Sequence, residues 1–492
     1  MSDSTLGGRT VQDYLDETPI WSDGTQSSAS PMTPMQTRIW WLAAAGKFFE
    51  GLVVFMTGIA LPLIVKEFNL DGSLSHGLVT AATLAGILVG ATALGGLADR
   101  FGRKTMFIVE MAIFTAFLVA LTFTPSFTLL VIFLFGMGAA LGCDYPTAHM
   151  VISESISSRS RGRLVLGAFA FQAIGMICGA GIGYLILSSF PSLDSWRYMY
   201  ATAIIPAVLV TLARFTVPES PHWLFARGHK EAAEKATKRL LDRRPEYPKQ
   251  VVLSPREALS VPSGEEGETA TGFKALFVKG KNRRATILAS VPWFLQDLGT
   301  YGIGIFTPTI LAAAIGHKTE HERNLADVIA NDILAAEGTA FLDVLFLFGI
   351  VFAILLADRL GRIPLQITGF LGCAVGLAIA ALSGSFGGST QIVMIFAGFM
   401  LFNFMTNLGP NAQTYLIAGE VFPTRVRGVG AGFAASFAKV GAVATAFLFP
   451  VLLHDIGQEW LLLGLVVAFL LGALVTWIFR IETKGKSLEA MH

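Results

Sequence analysis

Gly95-Gly96-Leu97-Ala98-Asp99-Arg100-Phe101-Gly102-Arg103-Lys104 in the first half of the chain is said nearly again by Leu356-Ala357-Asp358-Arg359-Leu360-Gly361-Arg362 in the second. Each stretch lies between two long apolar segments. A second pair repeats with them: Ser153-Glu154 followed by Arg159, Arg161 and Gly162 returns as Gly419-Glu420 followed by Arg425, Arg427 and Gly428. Two hydrophobic halves carrying the same charged loops at matching places mark an internally duplicated membrane chain built from two related bundles.

Composition agrees. Of 492 residues, 53% are hydrophobic and 14% charged, 51 are glycine, and mean hydropathy is +0.61, a balance no soluble domain of this length buries. An integral, multi-pass protein of the plasma (inner) membrane is expected. The formal net charge of +1 gives no sign of a nucleic-acid partner. Cys143, Cys178 and Cys373 fall in apolar runs without ligand-like spacing, so neither a disulfide framework, a metal site nor a cofactor is expected. No phosphate-binding glycine loop and no nucleophile-base arrangement is visible, which argues against an enzyme. The first 38 residues are polar, lack the basic start and apolar core of a signal peptide, and read as a disordered cytosolic tail.

A helix needs about 20 apolar residues to cross the hydrocarbon layer. Such segments are expected at 39–65, 77–98, 105–124, 128–152, 164–188 and 197–216, then at 285–313, 338–357, 364–384, 390–418, 429–453 and 460–479. The fold class is therefore all-α, with twelve transmembrane helices in two six-helix bundles. The chain divides into a tail over 1–38, a bundle over 39–216, a cytosolic linker with short helices over 217–284, a bundle over 285–480 and a tail over 481–492. In the linker, the spacing from Glu231 to Leu241 predicts a short surface helix. Arg100, Arg103, Lys104, Arg159, Arg161, Arg163, Arg359, Arg362, Arg425, Arg427, Arg480, Lys484 and Lys486 fall in alternate loops, on the side of the linker and both termini. The positive-inside rule makes that side cytoplasmic. The opposite loops are short or acidic, as at Glu320, Glu322, Asp327 and Asp332.

With its paired loops the chain resembles the major facilitator superfamily over residues 39 to 489. The resemblance implies a gating network at the cytosolic helix ends, in which Asp99, Arg100, Arg103, Glu154, Arg161, Asp358, Arg359, Arg362, Glu420 and Arg427 would take part. Pro218-Glu219-Ser220-Pro221-His222-Trp223-Leu224 and Glu482-Thr483-Lys484-Gly485-Lys486-Ser487-Leu488 look like the sugar-porter grouping, which spans sugar, organic-ion and phosphate carriers. Gly142-Cys143-Asp144-Tyr145-Pro146, Trp293-Phe294-Leu295-Gln296-Asp297 with Tyr301, Asn407-Leu408-Gly409-Pro410-Asn411 and Ser436-Phe437-Ala438-Lys439 are similar to proton-coupled phosphate symporters. Carried over by position, that similarity implies Tyr145, Gln172, Trp293, Asp297, Tyr301 and Asn411 as ligands, with Asp144 and Lys439 handling proton and anion. Those symporters have an Asp pair in span one where this chain has Glu50 and Val53, and Pro308-Thr309-Ile310 looks more like sugar carriers.

An ionisable group near the bilayer centre costs at least about 2.5–3.5 kcal/mol on insertion scales, so each should meet a partner or a watery cavity. Glu50 lies near the middle of span one with Lys47 one turn earlier, which gives either a static pair or a proton carrier. Asp144 precedes Pro146 and is a second proton candidate. Trp293, Asp297 and Tyr301 share one helix face, and Asp297 is both a solute and a proton candidate. Lys439 is the cation of the second bundle. Gln172, Asn403, Asn407, Asn411 and Gln413 add neutral donors and acceptors, and Asn407 joins the expected solute site.

The expectation is a monomeric, proton-coupled symporter of a small polar solute, phosphate or a related anion. The alternative is a carrier of sugar or another organic solute, proton-coupled or facilitative. Its partners would be the solute, protons and the bilayer.

Overall fold

A computed structural model describes residues 9–17, 32–70, 72–94, 97–157, 160–242, 251–253, 272–277, 280–315, 325–422 and 426–484. The first span starts at a capping box: the Thr33 hydroxyl accepts from the Gln36 amide (3.1 Å), and the Gln36 side chain accepts from the Thr33 amide (2.8 Å). With Pro34 at the first helical position, the helix runs Pro34–Glu67, beginning earlier than its apolar stretch. Spans two to six follow at Ser73–Ala93, Arg103–Thr122, Phe127–Ser155, Arg161–Ser189 and Ser195–Arg214. The second six are Lys281–Ile315, Leu325–Leu360, Arg362–Leu382, Gly388–Glu420, Arg427–Asp455 and Gly457–Phe479. Eleven of the twelve are long and apolar enough to cross a membrane by composition. Span seven, which carries Gln296 and Asp297, is the twelfth. The chain is a multi-pass integral membrane protein with twelve spanning helices among the described residues.

The helices pair alike in the two halves. Span one packs on five as seven does on eleven, two on four as eight on ten, and three on four and six as nine on ten and twelve. The halves meet where span two lies against eleven, five against eight, and one against seven. Away from the basic loops this meeting is backbone to backbone. A Cβ on Gly58 would come within 2.0 Å of the Ile305 carbonyl oxygen and one on Gly77 within 2.3 Å of that of Phe447, so only glycine permits the approach. The Thr80 hydroxyl donates to the Ala446 carbonyl across the same seam (2.7 Å). Toward the basic loops the halves meet through side chains instead, with the Tyr415 ring of the second half against Tyr145 and Phe169 of the first.

Three expectations change. Span eight begins at Leu325, not 338, so Asp327 and Asp332 lie on its helix and not in a loop. Their charge lowers local hydropathy, but Val328, Ile329, Ala335 and Ala336 still form a buried helical face. Glu320 and Glu322 lie outside the described residues. The expected tail over 1–38 contains a helix, Val11–Asp16, capped by Thr10 and burying Val11, Tyr14 and Leu15. The Tyr14 hydroxyl accepts from the Val252 amide (3.1 Å) and donates to the Val252 carbonyl (3.3 Å), which ties the helix to the linker. At the other terminus, Glu482 and Thr483 pack back onto the second bundle. The linker helix forms at Lys230–Leu241 with Ala233, Ala236, Thr237 and Leu240 on its buried face, and the Thr33 hydroxyl donates to the Leu240 carbonyl (2.6 Å).

Candidate functional site

Spans one, five, seven and eleven bring six charged and polar side chains into one chain of contacts across the two halves. Lys47 pairs with Glu50 at 2.5 Å. The Tyr301 hydroxyl donates to Glu50 (2.9 Å) and accepts from the Lys439 ammonium (2.6 Å), and Lys439 pairs with Asp297 at 3.3 Å and with Glu50 at 3.8 Å. Gln172 donates to the Tyr301 hydroxyl (3.3 Å) and to Glu50 (3.4 Å). Glu50 and Asp297 are 4% and 1% exposed, and attraction of about 4 kcal/mol per pair at an effective dielectric of 20 matches the cost of placing such groups in the membrane.

A cavity opens beside this chain. Lys47, Tyr145, Gln172, Trp293, Asp297, Tyr301, Asn411 and Lys439 line it, together with apolar Ile87, Ala91, Phe169 and Ala435. The Lys47 ammonium lies 3.8 Å from the centre of the Tyr145 ring, and that of Lys439 lies 4.3 Å from the Tyr301 ring centre. Seven of the eight residues expected to touch solute are thus gathered around one space. Asn407 is the exception and is corrected here: its amide donates to the Phe346 carbonyl (2.7 Å) and its oxygen accepts from Asn411 (2.5 Å), so it braces span eight. Gln296 donates to Asn411 (3.1 Å) and to Thr300 (2.6 Å), and Asn403 donates to the Leu342 carbonyl (3.1 Å). The neutral amides are largely engaged with the protein itself.

Asp144 has a partner that the sequence reading did not weigh. Arg214, fully buried at the end of span six, pairs with it at 2.5 Å and donates to the carbonyls of Phe107 (2.6 Å) and Leu42 (3.1 Å), joining spans one, three, four and six. A Cβ on Gly46 would meet the Asp144 carboxylate at 1.9 Å, so span one must be bare there. Next to this pair, Glu110 of span three accepts from the Cys143 thiol and the Thr147 hydroxyl, both at 2.9 Å. A lone acid inside Phe107-Ile108-Val109-Glu110-Met111 was visible in the sequence and was missed. Arg214 was hidden by its place at a span end, where arginines are common.

At the basic ends the two halves repeat almost atom for atom. Arg103 pairs with Glu154 (3.2 Å) and donates to the Ala98 carbonyl (3.0 Å); Arg362 pairs with Glu420 (3.1 Å) and donates to the Ala357 carbonyl (3.0 Å). Ser220 donates to Glu154, and Thr483 to Glu420, each at 2.5 Å. Glu219 accepts from the Lys104 amide (2.9 Å) at the start of span three, and Glu482 from the Arg362 and Ile363 amides (both 3.0 Å) at the start of span nine. The two sugar-porter tags are therefore helix caps and latch partners. Carboxylates suit these positive helix ends. Gly102 (φ 101°) and Gly361 (φ 100°) make the turns, and a Cβ on either would also collide with the capping glutamate.

Asp99 joins Arg103 at 2.8 Å. Arg100 instead lies over the Phe101 ring, and Arg359 offers its carbonyl to Lys484 (2.6 Å). Arg161 donates to Gln12 of the N-terminal helix (3.1 Å). The side chains of Asp358 and Arg427 lie outside the described residues. Among the described residues no group of His, Cys, Asp and Glu could hold a metal.

Duplicated bundles, a charged cavity between them and twin latches at one end define a membrane transporter of the major facilitator type, not an enzyme. The family model described as "Sugar (and other) transporter" matches residues 39–492, and the chain belongs to that family. It is 28% identical to the putative metabolite transport protein YaaU of Escherichia coli, over 92% of this chain and 93% of that one. It is 27% identical to a repressible high-affinity phosphate permease of Neurospora crassa, over 92% and 85%. A solved structure of the proton:xylose symporter XylE shares the fold, with a TM-score of 0.72 at 21% identity over 93% of this chain and 98% of that one.

Proposed function

We propose that this protein moves a small anion together with protons by alternating access, with the basic loops in the cytoplasm. The contact chain Lys47, Glu50, Tyr301, Lys439 and Asp297 carries the reading. Two ammonium groups line the cavity, while its two lining amides already have partners within the protein, Asn411 in Asn407 and Gln296, and Gln172 in Glu50 and Tyr301. An anion entering beside Lys47 competes with Glu50 for the same cation. It does so at least cost when a proton neutralises a carboxylate, and that exchange is the coupling step. Because the Tyr301 hydroxyl bonds both Glu50 of the first half and Lys439 of the second, loss of charge at Glu50 loosens the two halves from each other. The phosphate permease among the relatives supports an anionic solute.

The test is uptake into proteoliposomes under an imposed pH gradient, with phosphate, organic monocarboxylates and xylose as probes. Anion accumulation should disappear with a protonophore, and Glu50→Gln should lose accumulation while retaining counterflow. Accumulation indifferent to the gradient would remove proton coupling. Uptake of xylose alone would remove the anion.

A further inference from the structure

Asp343 of span eight is a carboxylate that the central site leaves unused. It is 4% exposed, and among the described residues no hydrogen bond or ion pair reaches it. Spans one, five, seven, nine and ten pack on span eight. Their charged groups inside the membrane are Lys47 and Glu50 of span one, paired with each other, and Asp297 of span seven, paired with Lys439 of span eleven. Their other titratable side chains there are Tyr301 of span seven, Cys178 and Tyr184 of span five, Cys373 of span nine and Tyr415 of span ten, and the remaining charges lie at the span ends. On span eight itself Asp332 is buried and Glu337 exposed. A charged side chain within the bilayer costs at least about 2.5–3.5 kcal/mol on insertion scales, and no cation offsets that cost at Asp343.

Asp332, Ala336, Thr339, Asp343 and Ile350 fall at helical offsets on one face of span eight, and all five are buried. Ile350 packs in one apolar cluster with Leu166 and Phe169 of span five, so this face lies along the seam between the two halves. Past Asp343 toward the cytoplasm the face is apolar. Toward the outer end it carries Thr339 and Asp332, each 4% exposed. The Thr339 hydroxyl donates to the Ala335 carbonyl (2.7 Å) and keeps its oxygen free to accept. Two acids and a hydroxyl thus form a row of about 17 Å, at 1.5 Å per residue, that enters from outside and stops at Asp343. A seam that stays dry has no use for such a row, whereas water admitted when the outer halves part does. We infer that Asp343 takes up a proton from the outer water when the outer halves of spans five and eight close, and gives it back when they part. This positioning role is separate from the carried proton at Glu50, and it rests on the alternating-access reading above. Closing forms one O–H bond at a carboxylate oxygen, opening breaks it, and that proton does not cross the membrane. Acid outside therefore favours the closed outer end. With one proton exchanged, the ratio of parted to closed molecules changes by up to about tenfold per pH unit.

The experiment reads the seam without any solute. Spin labels are placed on Ser189→Cys and Ala330→Cys of the full-length protein, exposed positions at the outer ends of spans five and eight. Cys178, half-buried where Cys143 and Cys373 are buried, is replaced by alanine. The distance between the labels is measured in detergent from about pH 6 to about pH 8.5. The short distance should dominate in acid, and the long one should gain by up to about tenfold per pH unit. Asp343→Asn, neutral at every pH, should hold the short distance throughout. Asp343→Glu should restore the shift, which separates a lost proton from a folding defect, and Glu50→Gln should keep it. A shift in Asp343→Asn equal to that of the wild type overturns the inference, because Asp343 then keeps one protonation state through the cycle. A wild-type distance that ignores pH overturns it as well. If the shift is lost in Glu50→Gln and kept in Asp343→Asn, this inference falls and the proton role of Glu50 stands. If uptake proves indifferent to the pH gradient while the shift still depends on Asp343, the coupling reading falls and the switch stands.

Discussion

Arg103 and Arg362 meet Glu154 and Glu420 within 0.1 Å of the same distance, at 3.2 and 3.1 Å, and each donates 3.0 Å to an alanine carbonyl one turn back. Lys47 and Lys439, in the middle of the membrane, have no such correspondence: one pairs along its own helix, the other across two helices and both halves. The first bundle also holds the Arg214–Asp144 pair, while in the second an amide row from Gln296 through Asn411 to Asn407 ends on the Phe346 carbonyl. Duplication has been kept where both bundles must do the same thing, which is to open and close one end. It has been lost where a solute that is not symmetric must be recognised.

The sharpest break in the comparison is Arg214, a fully buried cation whose contacts all lie inside the first bundle. Arg214→Met leaves the Asp144 carboxylate buried without its cation, and removing one partner of such a pair costs about 3–5 kcal/mol. Thermal unfolding should show a large loss, most of it recovered when Asp144→Asn is added. Lys439→Met should abolish transport and cost stability as well, since Glu50 keeps Lys47 but Asp297 is left buried without its cation. If Arg214→Met melts like the wild type, the pair is not the pin of the first bundle.

The latches can be broken in parallel. Arg103→Ala and Arg362→Ala each remove charge-assisted bonds from a glutamate that stays in place, a loss of about 1.5–3 kcal/mol apiece. Transport rates should fall by similar factors in the two variants, within about threefold of each other, because about 1.4 kcal/mol is needed for a tenfold difference. A tenfold gap between them would mean that the latches are alike in geometry and unequal in the cycle.

What was legible in the sequence divides along the same line. Repeated loops and long apolar runs report directly on helices that must cross lipid, so the twelve spans, the twin Arg–Glu pairs and most of the cavity lining could be read from residue types at fixed offsets. The start of span eight could not, because hydropathy counts Asp327 and Asp332 against the helix, although Asp332 is buried among Val328, Ile329, Ala335 and Ala336. The helix at Val11–Asp16 is too short to signal itself; it exists because Tyr14 and Leu15 find the linker. Asn407 was read as a solute residue from its motif, and only the direction of its side chain assigns it to span eight. Arg214 needed a partner two spans and 70 residues away along the chain, which no local spacing reports.

The smallest expected effect tests the symmetry where it is closest. Glu219 and Glu482 cap spans three and nine in the same way, yet their oxygens are used differently. The Glu219 bonds to the Lys104 and Ser220 amides fall on one oxygen, both at 2.9 Å. Glu482 uses both: one accepts from the Arg362, Thr483 and Lys484 amides and the other from the Ile363 amide, all at 3.0 Å. A glutamine keeps one accepting oxygen and replaces the other with a donor. Glu219→Gln can therefore retain its bonds and should lose only the charge at a helix start, about 0.3–1 kcal/mol. Glu482→Gln must turn an N–H toward the Ile363 amide and should cost more, about 1–2 kcal/mol, because a backbone donor is left unpaired. Melting temperatures of the two single variants in the same detergent decide it. Equal losses would mean that charge alone sets the caps; a larger loss at Glu482 would mean that the count of accepted bonds does, and that the second latch is the more firmly held of the pair.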